Sequence, residues 1–114
     1  MKNRITKVIT GKNLEAFKLQ GTLNEQSLFD EGFIHCSFLH QSIEVANKYF
    51  KNESDVMLLI LNHELVNDEI KYELASNGEE YPHIYGPLNV NSIIEIVPFE
   101  KLADGSFQLL SDFK

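Results

Sequence analysis

The chain has 114 residues, of which 43% are hydrophobic and 24% are charged. This length accommodates one hydrophobic core and is too short for two, and the composition is typical of a globular chain rather than a disordered one. We therefore expect residues 1–114 to form a single domain.

The charge and the cysteine content limit the possible partners and compartments. Seventeen acidic residues against 10 basic ones give a formal net charge of -7, which disfavours attraction to nucleic-acid phosphates. Cys36 is the single cysteine, so an intrachain disulfide and a cysteine-rich zinc site are both excluded. No apolar stretch approaches the roughly 20 residues that span a bilayer. We expect a cytoplasmic protein with neither a nucleic-acid nor a membrane partner.

Hydrophobic periodicity and turn residues predict a mixture of short helices and strands. The predicted elements are, in chain order, a strand over 5–10, a helix over 14–19, a helical turn over 27–31, a strand over 33–38, a helix over 41–50, and strands over 56–61, 70–74, 93–99 and 107–110. Residues 22–25 and 27–30 have capping-box spacing. The continuous apolar run 56–61 predicts the centre of the sheet, buried on both faces. This order indicates an α+β protein.

Alternation within the shorter elements assigns side chains to faces. In the strand over 33–38, it places His35 and Ser37 on one face and Cys36 on the other, which predicts a shared polar surface and an inert, core-facing thiol. The full apolar set opposite the polar pair is Ile34, Cys36 and Phe38. In the strand over 70–74, Ile70, Tyr72 and Leu74 are expected inward, and Lys71 and Glu73 outward. The helix over 41–50 is expected to bury Ile43, Ala46 and Phe50, widened by Val45 and Tyr49.

A second polar segment follows the polar stretch 76–80. His83 lies between Pro82 and the Gly86-Pro87 pair, which restrict the backbone and predict a stiff loop presenting His83 and Tyr85. Glu73 becomes functional only if it reaches one of the histidines. A metal site is disfavoured because the His and Cys residues lack the usual ligand spacings.

Two motifs give the chain a resemblance to a known family. Residues 32–37 read GFIHCS and residues 82–88 read PHIYGPL. With Ser27, Leu28, Glu31 and Gln41, they resemble the domain of unknown function 952 (DUF952) family of small bacterial proteins, which carry both motifs in this order. The chain lacks the tryptophan that family members often carry in the amino-terminal helix.

The resemblance implies a fold similar to the ADP-ribosyltransferases, a split β-sandwich with short flanking helices that binds NAD in its cleft. It implies cofactor-binding roles for His35, Ser37 and Gln41, with the first two at a ribose. It also implies catalytic roles for His83, Tyr85 and Glu73 near the nicotinamide ribose. The function expected on this basis is transfer or hydrolysis at that ribose.

Two alternatives remain open at the level of sequence. The same pocket would serve a binding module that holds a nucleotide-like or other small ligand without turnover. Alternatively, both histidines are structural and lock the sheet to the second motif through hydrogen bonds. Removal of His35 distinguishes these alternatives, because a structural histidine costs stability when it is lost whereas a binding histidine costs ligand affinity.

Overall fold

The computed structural model describes residues 4–109. These residues contain three α-helices, α1 (Gly11–Gln20), α2 (Gln26–Asp30) and α3 (Ser42–Tyr49). Short 3-10 turns lie at Leu39–Gln41, His63–Leu65 and Val90–Ser92. The strands are β1 (Ile5–Thr10), β2 (Thr22–Leu23), β3 (Ile34–His35), β4 (Ser37–Phe38), β5 (Val56–Leu61), β6 (Ile70–Leu74), β7 (Glu80–Ile84), β8 (Leu88–Asn89), β9 (Ile93–Pro98), β10 (Glu100–Lys101) and β11 (Phe107–Gln108). The α+β class expected from the sequence is confirmed.

The larger sheet has four antiparallel strands in the order β4-β1-β5-β9. Its centre is β5, where Leu58, Leu59 and Ile60 are completely buried. The apolar run 56–61 therefore forms the central strand that its lack of alternation predicted. Strand β1 pairs with β5 along its whole length, from Ile5 opposite Leu61 to Thr10 opposite Val56.

A second antiparallel sheet of three strands has the order β3-β7-β6. The expectation of a stiff loop at the second motif is wrong in its first half, because Pro82 and His83 lie inside β7. Pro82 lies just beyond the end of the β3 ladder, where its carbonyl still accepts a hydrogen bond from the Cys36 amide at 3.0 Å. A proline is tolerated there because its missing N–H falls at the end of the ladder and not within it. Two further ladders, β2 with β8 and β10 with β11, are two residues long.

The core joins the two sheets. One cluster of buried side chains combines Ile5 and Leu59 of the larger sheet, Ile34 and Ile84 of the smaller sheet, and Phe17 of α1. A second cluster packs α3, through Ala46, against the larger sheet. The buried side chains of the smaller sheet thus all point to one face, which leaves its opposite face for polar residues.

The predicted strand over 33–38 divides at Cys36. Ile34 and His35 pair with β7, whereas Ser37 and Phe38 pair with β1 of the larger sheet. The simple alternation expected across this segment fails because its two halves belong to different sheets. Cys36 stays buried, as expected.

The helix boundaries and caps also differ from expectation. Helix α1 begins earlier than expected, at Gly11, because the Thr10 side chain caps it by accepting from the Asn13 amide at 3.3 Å. It ends at Gly21, whose φ of 81° is the left-handed conformation that favours glycine. Neither predicted capping box forms. Residues 22–23 form β2 instead, and α2 has Glu25 at its N-cap position without a side-chain cap.

Three apolar side chains expected inside are exposed. Tyr49 on α3 is 68% exposed, and Leu74 and Tyr72 on β6 are 74% and 46% exposed. Strand β6 is an edge strand. Its side chains alternate between the two faces as expected, but its last residue, Leu74, lies beyond the edge of the core. Tyr72 stacks on Phe38 with ring centroids 5.9 Å apart.

At the chain end, β11 corresponds to the first half of the predicted strand over 107–110, whose last residue, Leu110, lies outside the described residues. Within residues 4–109, every helix is too short or too polar to cross a bilayer.

Candidate functional site

The two sequence motifs meet at a pair of histidines. His35 of β3 lies directly opposite His83 of β7 in the antiparallel ladder, and their rings are 5.2 Å apart between centroids in an edge-on arrangement. The residues before and after them, Ile34 and Ile84, are completely buried. Alternation therefore turns both histidines to the outer face of the smaller sheet. His35 and His83 share one surface, as the sequence led us to expect.

The same face carries further polar residues and the aromatic ring of Phe33. Lys71 also lies on it, opposite His83 and with its ammonium group over the Tyr85 ring. Phe33 stacks on His83 with centroids 4.1 Å apart and a 20° angle between the rings. Glu73 of β6 and Tyr85, just after β7, complete the group. We call these five residues, Phe33, His35, Glu73, His83 and Tyr85, the histidine face.

Glu73 connects His83 to Tyr85. Its Oε1 atom lies 2.7 Å from His83 Nδ1 and accepts a hydrogen bond from the Tyr85 hydroxyl at 2.6 Å. The hydroxyl of Tyr85, and then the His83 ring, hold the pKa of the Glu73 carboxyl below its ordinary value. Conversely, the Glu73 carboxylate raises the pKa of Tyr85 to about 12. At neutral pH the carboxylate is ionised and the phenol is a neutral donor, so Tyr85 orients Glu73 and Glu73 orients His83.

A large cleft of about 1220 Å³ opens beside the histidine face. Phe33, His35 and His83 line it, whereas Glu73 and Tyr85 do not. The side chain of His83 is 14% exposed and that of His35 is 52% exposed. Since Nδ1 of His83 is occupied by Glu73, Nε2 is the ring atom left for a molecule in the cleft. His83 thus has the arrangement of a histidine held by a carboxylate for acid–base work.

His35 has its own carboxylate partner. Its Nε2 lies 2.8 Å from Glu31 Oε1, and both side chains are about half exposed. Its backbone carbonyl accepts a hydrogen bond from the ammonium group of Lys7 at 2.7 Å. The side chain of His35 is therefore reachable from solvent while its backbone is fixed from inside.

Ser37 and Gln41, expected to bind a cofactor, are committed elsewhere. Ser37 is buried, and its hydroxyl lies 3.1 Å from the Thr6 hydroxyl. Ser37 belongs to the larger sheet and not to the outer face of the smaller sheet, so the simple alternation that grouped it with His35 is corrected, although both residues line the cleft. Gln41 is buried outside the cleft lining, where it accepts from the Phe38 amide and donates to Glu79 and to the carbonyl of Glu80. Gln41 therefore supports the framework around the cleft.

The other candidate groups named from the sequence are the Cys36 thiol and a metal site. Burial raises the pKa of the Cys36 thiol to about 12, so the thiol is protonated and unreactive at neutral pH. Among residues 4–109, no three His, Cys, Asp or Glu side chains are arranged to hold a metal ion.

The sequence analysis assigned no site role to Phe33, Glu31 or Lys7. Phe33 lies in the first motif two residues before His35, and strand periodicity carries the signal that it shares a face with His35. The partnership of Glu31 with His35 depends on the turn at Gly32, whose φ is 90°. The contact of Lys7 with the His35 carbonyl joins two sheets, and no local pattern contains it.

These features define a class: a small α+β protein with two antiparallel sheets around one core and a histidine-lined cleft at the edge of the smaller sheet. The sequence pattern of the family described as "Protein of unknown function (DUF952)" matches residues 8–96. The chain belongs to this family.

Solved structures agree with this assignment. The crystal structure of protein CC0527 from Caulobacter crescentus is 30% identical in sequence and superimposes with a TM-score of 0.86, covering 96% of this chain and 97% of that one. The solution NMR structure of CC0527 gives a TM-score of 0.78 at 30% identity, covering 92% and 91%. A comparison with curated proteins gives no significant match.

Proposed function

We propose that the cleft binds NAD or a closely related nucleotide and that the histidine face promotes transfer or hydrolysis at the nicotinamide ribose. One observation carries the proposal: His35 and His83, from separate motifs, lie side by side at the cleft, and His83 is oriented by a carboxylate. In this proposal the fold is a split β-sandwich of the ADP-ribosyltransferase type, supported by the four-stranded and three-stranded sheets that enclose one core.

The size and the lining of the cleft support a dinucleotide as the ligand. Ligand pockets commonly measure about 300–1,000 Å³, and this cleft, at about 1220 Å³, exceeds that range. Phe33 offers an aromatic ring for stacking beside two imidazoles that donate or accept hydrogen bonds. In the proposed complex, His35 holds a ribose hydroxyl and His83 lies near the anomeric carbon.

The proposed step breaks the bond between the anomeric carbon and the nicotinamide nitrogen. Nicotinamide leaves as a neutral molecule with the bonding electron pair, and the ribose develops oxocarbenium character. A nucleophilic atom of water or of another acceptor then forms a bond to that carbon, and its proton passes to Nε2 of His83. The negative charge of Glu73, kept in place by Tyr85, favours both the cationic ribose and the protonated imidazole. The acceptor is protein, a small molecule or water.

A non-catalytic binding module is the second candidate. The observation in its favour is that Glu73, the carboxylate of the histidine face, does not line the cleft and is occupied by His83 and Tyr85. Such an arrangement holds His83 rigid for ligand recognition as well as for proton transfer. The two candidates differ only in turnover.

The test is ligand-observed NMR with NAD, ADP-ribose and nicotinamide, followed over hours for nicotinamide release. Wild type is compared with His35→Ala and His83→Ala, and His63→Ala is the control because His63 is exposed and outside the cleft lining. We expect binding in wild type and the control, and its loss in the two cleft variants.

Nicotinamide release that disappears in His83→Ala supports the transferase or hydrolase. Binding without release supports the binding module. Equal binding by all four proteins, or by none, contradicts both.

A further inference from the structure

The cleft contains a second polar cluster that the histidine face does not use. Lys7 of β1 lines the cleft although its side chain is only 7% exposed. Its ammonium nitrogen lies 2.8 Å and 2.7 Å from the two carboxylate oxygens of Glu25 and 2.7 Å from the His35 carbonyl. A buried cation therefore bonds directly to the backbone of His35, a residue of the histidine face.

Stability alone does not account for a buried ion pair at this position. Removing a lysine and a carboxylate from water is costly, and an apolar pair of similar volume commonly stabilises a fold equally well or better. The chain as a whole carries a net charge of -7, and the cleft lining contains only one other cation among the described residues, the exposed Lys48. Lys7 is thus a buried cation, paired with Glu25, in a chain of net negative charge.

Ser27 provides the second, independent observation. Its hydroxyl oxygen is buried and has no hydrogen-bond partner among residues 4–109, and the residue lines the same cleft. Buried polar atoms are almost always paired, so an unpaired hydroxyl on a residue that lines a cleft points to a partner from outside the chain. Ser27 lies two residues after Glu25, on the short helix α2.

Helix α2, which carries Ser27, packs against the core through the partly buried Leu28 and otherwise lies at the surface. No residue of α2 is buried as a whole, and Phe29 at its outer surface is 72% exposed. The contacts that tie its two ends to the cleft are the pairs of Glu25 with Lys7 and Glu31 with His35. A modest shift of α2 would therefore exchange carboxylate contacts for ligand contacts.

We propose that Lys7, Glu25 and Ser27 form a subsite for the phosphate groups and adjoining sugar hydroxyls of a phosphosugar ligand. The ammonium group of Lys7 pairs with phosphate oxygens, and the Ser27 hydroxyl donates to one of them. The Glu25 carboxylate turns from Lys7 to accept a sugar hydroxyl. The inference rests on the proposed function in placing the ligand in the same cleft, and it adds that the phosphates, and not only the base and ribose, are recognised.

The experiment separates the phosphate contribution from the rest of the ligand. Calorimetric affinities for ADP-ribose and for adenosine are measured with wild type, Lys7→Met, Ser27→Ala and Lys48→Met. Lys48→Met is the matched control, since it removes the same charge from an exposed position in the same cleft. We expect Lys7→Met to lower ADP-ribose affinity about tenfold or more and Ser27→Ala to lower it about threefold to tenfold. Adenosine affinity is expected to stay within about twofold throughout.

Ser27→Ala keeps the test decisive if Lys7→Met fails to fold. Because it replaces an orphan hydroxyl with hydrogen, the variant is expected to melt no lower than wild type while losing ADP-ribose affinity. Unchanged ADP-ribose affinity in Ser27→Ala overturns the subsite. An equal loss in Lys48→Met also overturns it, because the effect is then general electrostatics.

Inorganic pyrophosphate distinguishes this inference from the proposed function. Titration of the ¹⁵N-labelled protein is expected to shift the amide resonances of Glu25 and Ser27 equally in wild type and in His35→Ala. In Lys7→Met these resonances are expected to stay unshifted. If Lys7→Met does not fold, the comparison is with Ser27→Ala, in which the shifts are expected to be smaller than in wild type. This result without any nicotinamide release supports the subsite and contradicts the chemistry proposed above. Wild type that binds neither pyrophosphate nor ADP-ribose contradicts the subsite.

Discussion

Replacing each histidine of the pair by alanine gives a stability test that separates binding from architecture. The His35 side chain is 52% exposed, and its carboxylate partner Glu31 is 49% exposed. An exposed pair of this kind contributes between about 0 and 1 kcal/mol. We therefore expect His35→Ala to lower the free energy of unfolding by less than about 1 kcal/mol.

The expected loss is larger for His83→Ala. His83 is 14% exposed, bonds to Glu73 at 2.7 Å and stacks on Phe33 at 4.1 Å. A stacked aromatic pair and a hydrogen bond each contribute about 0.5–1.5 kcal/mol, so the sum is about 1–3 kcal/mol. Equilibrium urea denaturation with linear extrapolation measures both losses.

The order of the two losses is the decisive result. His83 makes contacts with Glu73 and Phe33 that hold the smaller sheet together, whereas the half-exposed side chain of His35 contributes little to the fold. A loss above about 2 kcal/mol for His35→Ala would exceed what an exposed pair contributes and would mean that His35 is architectural. His35→Ala costing more than His83→Ala would refute the reasoning from exposure altogether.

Three further predictions follow from individual contacts. Glu73→Gln is expected to bring the pKa of Tyr85 down from about 12 toward its ordinary value of 10.0, because the charged acceptor of the phenol's hydrogen bond is gone. Ultraviolet titration of tyrosinate detects this change, and an unchanged high-pH titration argues against the pair. Gly86→Ala places a methyl group against the Asp68 carboxylate, which must turn aside, and should destabilise by about 0.5–1.5 kcal/mol, the usual cost of an unfavourable side-chain rotamer. Thermal unfolding measures it, and Asp68→Ala in the same chain should recover most of the loss if the collision is the cause. Cys36, with a thiol pKa of about 12, is expected to resist iodoacetamide at pH near 8 until urea unfolds the chain; rapid native labelling would show that it is accessible.

The pH dependence of the Glu73 pair has a defined sign. The folded protein lowers the pKa of Glu73 below its ordinary value of 4.5, so the stability that this carboxylate contributes is present above that value and is lost as the pH falls through the lower, folded pKa. The folded protein raises the pKa of Tyr85, so its contribution is present below 10.0 and is lost as the pH rises toward about 12. Both contributions are therefore complete at neutral pH.

Local pattern predicted the elements better than it predicted the site. The apolar run 56–61 identified the central strand because a strand buried on both faces has no polar positions. The alternation of β6 correctly turned Glu73 away from the core, yet it did not show that Leu74 lies beyond the core edge, since edge position depends on strand order.

The failures at Ser37 and His83 both depend on strand pairing, which leaves no periodic signal in the sequence. Ser37 lies where the chain changes its pairing partner, and His83 lies in a strand that pairs on both sides. Ser37 is buried because β4 joins the larger sheet, and His83 is in a strand because β7 is flanked by both β3 and β6. Meeting of the two motifs was expected from their resemblance to a family, whereas the contact of Lys7 with the His35 carbonyl depends on tertiary packing alone.

The division of residues 34–38 between two sheets limits how this segment can change in length. Ile34 and His35 are in register with β7, and after one intervening residue Ser37 and Phe38 are in register with β1. Deleting or inserting one residue near Cys36 would force one of the two ladders to slip, which would turn either a histidine inward or an isoleucine outward. Related chains can therefore vary in length in the loops around this segment, whereas the five residues that join the sheets have no room for an insertion or a deletion.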